Sequence, residues 1–301
     1  MQGQVIAIAT ALVAIIGPLL LGLAGVRNAR REPSCVAATP WDWKLTIRST
    51  LLYVLAFNLT FFIQELFLVL PKAFTPGLRP TLFHNNHQWE GTHPLASLFQ
   101  GTGALATVLT SAGCLWWLKR ASGTSGNARL LLIWMAYCGI FMALPQVAIG
   151  ALSTGSDLGM AMTYLQLGNT TKLVAARVAL GAMAPTPLLL SGPLLALADR
   201  PDRIATPEAR TRFAFLVATL PVLLGTVLII PFRVPREWIE VVLLPAWVAV
   251  LGVTWMQAGA WCFDRVRASG NQAGSVAKPL AAVLLLLLVF QCVLRPGIAF
   301  H

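Results

Sequence analysis

The chain has 301 residues, of which 57% are hydrophobic and 11% charged, and its mean hydropathy is +0.72. Soluble domains carry about a quarter charged residues, and no polar stretch here is long enough to form one, so residues 1–301 are expected to be a single integral membrane domain. The formal charge of +11 is scattered through short connections between apolar segments, which argues against a nucleic-acid partner and for a positive-inside protein in contact with the lipid bilayer.

The first apolar segment, 5–26, has no basic residue ahead of it and is followed by Arg27, Arg30 and Arg31. A secretory signal has the reverse order of charge, so this segment reads as a retained helix that starts outside and ends in the cytoplasm. Trp41, Asp42, Trp43 and Lys44 then read as an interfacial anchor. The second helix, 47–69, carries Glu65 with no basic residue near it in sequence, and Asn58 seven positions earlier on the same face. Counting back from Pro71 at 1.5 Å per residue places Glu65 roughly 9 Å below the outer surface.

The connection 71–94 is expected to be an extracytoplasmic loop. It holds His84, His87 and His93, three of the four histidines in the chain. The third helix, 95–118, descends to Lys119 and Arg120. Its Gln100, Gly103, Thr107, Thr110, Ser111 and Cys114 recur at three-to-four spacing, a small or polar stripe that belongs against other helices. A cytoplasmic turn over 123–127 leads to the fourth helix, 130–152, which should kink at Pro145. The second outer connection, 153–171, is amphipathic and carries Asp157.

The fifth helix, 172–197, has Arg177 one turn inside its outer end and is interrupted at Pro185 and Pro187. A polar cytoplasmic loop, 198–212, follows. The sixth helix, 213–230, and the seventh, 239–261, are joined by a brief outer turn. Arg265, Arg267 and Lys278 mark the last cytoplasmic loop before the eighth helix, 280–294. The expected fold is all-α: a polytopic bundle of about eight transmembrane helices with both termini extracytoplasmic. With this assignment every inner connection is basic, and fifteen of the 22 lysines and arginines fall on the inner side: Arg27, Arg30, Arg31, Lys44, Arg48, Lys119, Arg120, Arg129, Arg200, Arg203, Arg210, Arg212, Arg265, Arg267 and Lys278. The Ala-, Leu- and Arg-rich composition suggests a bacterial inner membrane.

Five cysteines (Cys35, Cys114, Cys138, Cys262 and Cys292) show no CxxC spacing, so neither a disulfide framework nor a thiolate metal site is expected. The chemistry concentrates around Glu65. An ionisable group within a spanning helix is costly and faces a protein interior, a partner or water. Arg177, at similar depth, is the expected ion partner, whether structural or functional. His84 and His87 lie three apart, and imidazole suits zinc and other divalent transition metals. His93, Glu65 or Asp157 could supply a third ligand, and Glu65 or Glu90 a general base. The bland alternative is that these histidines hydrogen-bond a folded loop at the interface.

These residues lead to an expectation of a membrane-embedded, metal-dependent hydrolase, with zinc the expected metal, acting on a lipid or membrane peptide at the outer surface. The alternatives are a transporter or channel with a Glu65/Arg177 charge pair, or a non-catalytic accessory subunit. HExxH, GxGxxG, P-loop and GxSxG motifs are all absent from the sequence.

Overall fold

Among the described residues eight helices are long and apolar enough to cross a membrane: α1 Ile8–Arg27, α2 Trp43–Ala73, α3 Ala96–Arg120, α4 Gly126–Leu152, α5 Asn169–Leu195, α6 Pro207–Arg233, α7 Glu240–Gly259 and α8 Ala277–Leu294. The computed structural model describes residues 2–29, 41–120, 125–263, 268 and 274–300. Arg30, Arg31, Cys35, Arg265 and Arg267, used in the sequence reading, lie outside the described residues. Leucines, isoleucines and valines stay exposed along the outer faces of the bundle, among them Leu19, Leu20, Val178, Val227 and Leu285. Apolar exposure on that scale is what a lipid-facing surface requires and a water-facing one avoids.

Burial separates central helices from peripheral ones. Two thirds (67%) of the apolar window of α2 and of α4 is buried, against 11% in α1 and 22% in α8, so α2 and α4 form the axis of the bundle. Their shared face is aromatic: Tyr53 meets Trp134 edge-on at 5.2 Å and Tyr137 packs on Phe141 at 4.8 Å. Tyr137 donates to Val248 O at 2.8 Å and so ties α7 to this axis. The polar stripe foreseen on α3 is buried at Gln100, Gly103, Thr107 and Ser111. Gly103 lies against Gln64 and Leu68 of α2, and Gly139 of α4 lies against Thr107 and Ser111. Small residues let these backbones approach closely enough for dispersion and interhelical hydrogen bonds to hold them.

Prolines inside the helices leave carbonyls without their usual donor four residues on. Pro71 does so to Phe67, and Thr102 Oγ1 of α3 approaches that oxygen to 2.5 Å. Pro221 does so to Val217, which accepts from Ser49 Oγ at 2.6 Å. With its terminal carbonyl served in this way, α2 runs past Pro71 to Ala73 instead of ending before it.

The all-α expectation needs a correction. The segment read as a loop over 71–94 folds into a hairpin of β1 Leu78–Leu82 and β2 His87–Gly91, and β3 Ile298–Ala299 pairs with the other edge of β1. Both pairings are antiparallel, with Leu82 opposite His87 and Thr81 opposite Ala299. Burial alternates along β1, the period-2 signature of a half-buried strand. Pro80 accepts from Phe300 N at 2.9 Å but has no N–H to return, which limits the β3 ladder to two residues. Gly77 and Gly91, with φ of +85° and +92°, flank the hairpin where a side chain would strain the backbone. The chain leaving α8 therefore returns to the same end of the bundle as the hairpin.

Candidate functional site

The hairpin closes over the C-terminal end of α2, and its strand geometry decides which side chains enter the bundle. His87 and Trp89 are two apart on β2 and share a face, while Gln88 and Glu90 point the other way and are exposed. Glu65, on α2, is buried at the end of α2 nearest the hairpin. His87 Nδ1 lies 2.8 Å from Glu65 Oε2, and His87 Nε2 lies 3.1 Å from Gln100 Oε1 on α3. A carboxylate, an imidazole and an amide from three elements thus form one buried chain.

The surroundings are cationic and aromatic. Trp89 stacks on His87, with ring centroids 5.9 Å apart and planes 12° from parallel. The ammonium of Lys72, fully buried one heptad beyond Glu65, sits 4.6 Å from the Trp89 centroid and donates to Leu68 O at 2.7 Å. Next to Glu65 in sequence, Gln64 Oε1 accepts from Gln146 Nε2 of α4 at 2.8 Å. Asp157 opens the short helix Asp157–Tyr164 and is half-buried at the margin of the site. Burial, with the Glu65 charge adding to it, raises the Asp157 pKa, and the charges of His87 and Lys72 offset part of the rise.

The remaining expected residues are held elsewhere. His84, at the hairpin tip, donates from Nε2 to Val234 O at 3.2 Å. Burial lowers its pKa, and the charges of Arg295, Arg233 and Arg236 act in the same direction against the hydrogen bond to Val234. His93 Nδ1 accepts from Leu95 N at 3.2 Å and so caps the start of α3. Glu90 is paired in register with Arg79 on the exposed strand face. Arg177 is exposed on α5, and the ion partner of Glu65 is His87. The reason is packing: α4 lies against both α2 and α5, so equal depth does not bring Arg177 to Glu65.

A catalytic zinc site needs three protein donors and an open position. Among the described residues no three His, Cys, Asp or Glu side chains converge. Both ring nitrogens of His87 are engaged, and His84 and His93 are fixed to separate backbone atoms. The residues as placed do not fit the expected metal.

Lys72 and Arg233 escaped the sequence reading. Lys72 had a usable signal, since Asn58, Glu65 and Lys72 are seven apart and share one helix face. Arg233 looked like an ordinary basic residue at a helix end, yet it is buried with its guanidinium carbon 4.4 Å from the Phe61 ring centroid. Comparison with protein-family models, with curated proteins and with solved structures finds no match.

Proposed function

We propose that this is a proton-linked membrane transporter, with the hairpin end outside and the basic end in the cytoplasm of a bacterial inner membrane. The buried Glu65–His87 pair is its proton-binding group. The observation that carries this reading is the 2.8 Å contact between Glu65 Oε2 and His87 Nδ1. A carboxylate oxygen and an imidazole nitrogen at that distance hold a proton between them, and both side chains are buried. The amide of Gln100 serves both states: Oε1 accepts from an Nε2–H, and the rotated amide donates to a bare Nε2.

The helices supply points at which the bundle could rearrange. The fifth span passes from one helix to another at Ala184, and α1, α6 and α8 contain π-turns at Leu12–Ile16, Phe215–Thr219 and Phe290–Leu294. Such irregular backbone in spanning helices accompanies ion and substrate sites in transporters. The metal-dependent hydrolase is the weaker reading, because its donors are held apart.

The test is a pH step on protein adsorbed to a solid-supported membrane, with infrared difference spectra across the same step. Wild-type protein is expected to show a charge transient and a carboxyl band in the difference spectrum. Glu65→Gln should lose the band, and both Glu65→Gln and His87→Asn should lose the transient. An undiminished transient in Glu65→Gln rejects the proposal.

A further inference from the structure

At the hairpin tip two buried side chains carry polar atoms with no hydrogen-bond partner among the described residues: Nδ1 of His84, and Nε and Nη1 of Arg233, whose guanidinium packs on the Phe61 ring. His84 is 5% exposed and Arg233 4%. The His84 ring and the backbone at Arg233 and Val234 are held by hydrogen bonds. Asn85 Nδ2 donates to Arg233 O at 2.6 Å, and His84 Nε2 and Gln291 Nε2 both donate to Val234 O, at 3.2 and 3.0 Å. Arg295 Nη1 reaches Gln291 Oε1 at 3.4 Å. The tip is thereby pinned between the ends of α6 and α8.

The chemistry of the unused atoms is specific. A carbonyl oxygen only accepts, so His84 Nε2 carries the ring proton and Nδ1 presents a lone pair. Arg233 presents N–H donors. Charges of Arg233, Arg236 and Arg295 all act on His84. The carboxylates within reach of Arg233 are already engaged, Glu65 by His87 and Glu240 by Arg236. A fitting ligand is therefore anionic, offers acceptors to a guanidinium, and still keeps one O–H to give to Nδ1.

We propose that His84 and Arg233 form a binding site for a phosphate monoester or free phosphate, with anionic oxygens on Arg233 Nε and Nη1 and the P–OH on His84 Nδ1. A second phosphate pKa of about 6 keeps that proton on roughly half of the molecules near pH 6 and on more of them below it, and guanidinium–phosphate hydrogen bonds are among the stronger ones. Carboxylate, sulfate and phosphodiester anions supply the acceptors but no donor. Arg295 is exposed, and its charge and that of Arg236 act on His84. The phosphate can come from solution or from the headgroup of phosphatidic acid. The Glu65 charge acts on Arg233, but anion binding here does not require that the Glu65–His87 pair bind a proton.

The experiment is calorimetric titration of the purified protein at a pH near 6 with inorganic phosphate and, separately, with sulfate. In parallel, native mass spectrometry counts lipids retained from nanodiscs containing phosphatidic acid or phosphatidylglycerol. Phosphate should bind at least tenfold more tightly than sulfate, or phosphatidic acid should be retained over phosphatidylglycerol; which arm responds identifies the source. Arg233→Met and His84→Phe should each weaken the responding arm tenfold or more. If either variant fails to fold, the phosphate-to-sulfate and lipid comparisons on wild-type protein still decide. The proposal is overturned if neither phosphate nor phosphatidic acid binds. Sulfate binding as tightly as phosphate, or affinities unchanged in both variants, overturns it as well.

Discussion

Glu65 and His87 meet at 2.8 Å although a proline, a helix end and one strand of a hairpin separate them in sequence. The contact exists because α2 continues through Pro71 and the hairpin folds back over its end. Removing one partner of a buried pair leaves an uncompensated charge and costs about 3–5 kcal/mol, whereas replacing the whole unit with apolar groups is close to neutral. Glu65→Leu should therefore lower thermal stability in detergent markedly, while Glu65→Leu/His87→Phe/Gln100→Leu should recover most of the loss. Equal melting temperatures for wild-type protein and Glu65→Leu would show that the pair is not a buried charge interaction.

Ser49 makes a second checkable contact. Its hydroxyl donates to Val217 O at 2.6 Å, where Pro221 has removed the normal donor, and accepts from Trp134 Nε1 at 3.1 Å. Ser49→Ala leaves a buried acceptor and a buried donor unsatisfied, at about 1–3 kcal/mol each. Denaturation of the variant should show a loss in that range. A change within about 0.5 kcal/mol, the usual size for an uninvolved surface site, would contradict the role assigned to Ser49.

The helices were legible in the sequence and the site only partly. Spanning segments announce themselves by length and hydropathy, and each of the eight expected segments has its helix. The hairpin did not, because five-residue strands give little periodicity and Pro80 argues against a central strand. Arg177 was assigned to Glu65 by depth alone, which ignores that α4 packs between their helices. Lys72 was passed over because Pro71 was read as the end of the helix. Once the chain is known to continue, the spacing of Asn58, Glu65 and Lys72 places the lysine on the same face.

Gly91 limits what the hairpin tolerates. Its φ is +92°, and a Cβ there would run into the carbonyl oxygen of Gly77 across the strand pair. Gly91→Ala should destabilise the protein by about 1–3 kcal/mol and loosen the cover over Glu65. Amide hydrogen exchange of residues 78–91 should speed up in the variant, and unchanged protection would show that the strand absorbs the methyl group.

Sidedness is open to direct labelling. Thr92 is exposed at the hairpin end and Ala205 at the opposite end, where the basic residues gather. After replacement of the native cysteines, Thr92→Cys should react with a membrane-impermeant maleimide on intact spheroplasts, and Ala205→Cys only after lysis. The reverse pattern would invert the proposed orientation.

Asp157 gives a pH dependence whose sign follows from its surroundings. Its carboxyl is raised above the ordinary value, first by burial and then by the Glu65 charge, against the opposing charges of His87 and Lys72. A carboxyl with a higher pKa in the folded than in the unfolded state contributes stability below the unfolded pKa. That contribution is lost as pH rises through the folded value, because the folded protein must then hold a charge it disfavours. The position at the start of the Asp157–Tyr164 helix works weakly the other way, since a helix N-terminus favours a carboxylate. Asp157→Asn removes the titration while keeping size and hydrogen-bonding capacity. The variant should melt higher than wild-type protein at neutral pH, and the two should converge as pH falls through the carboxylate range. Melting curves at successive pH values check this directly. A constant difference across the range would mean that Asp157 does not titrate within the fold, and a variant less stable at neutral pH would mean that its charge is held by Lys72 and the helix terminus instead of being opposed by Glu65.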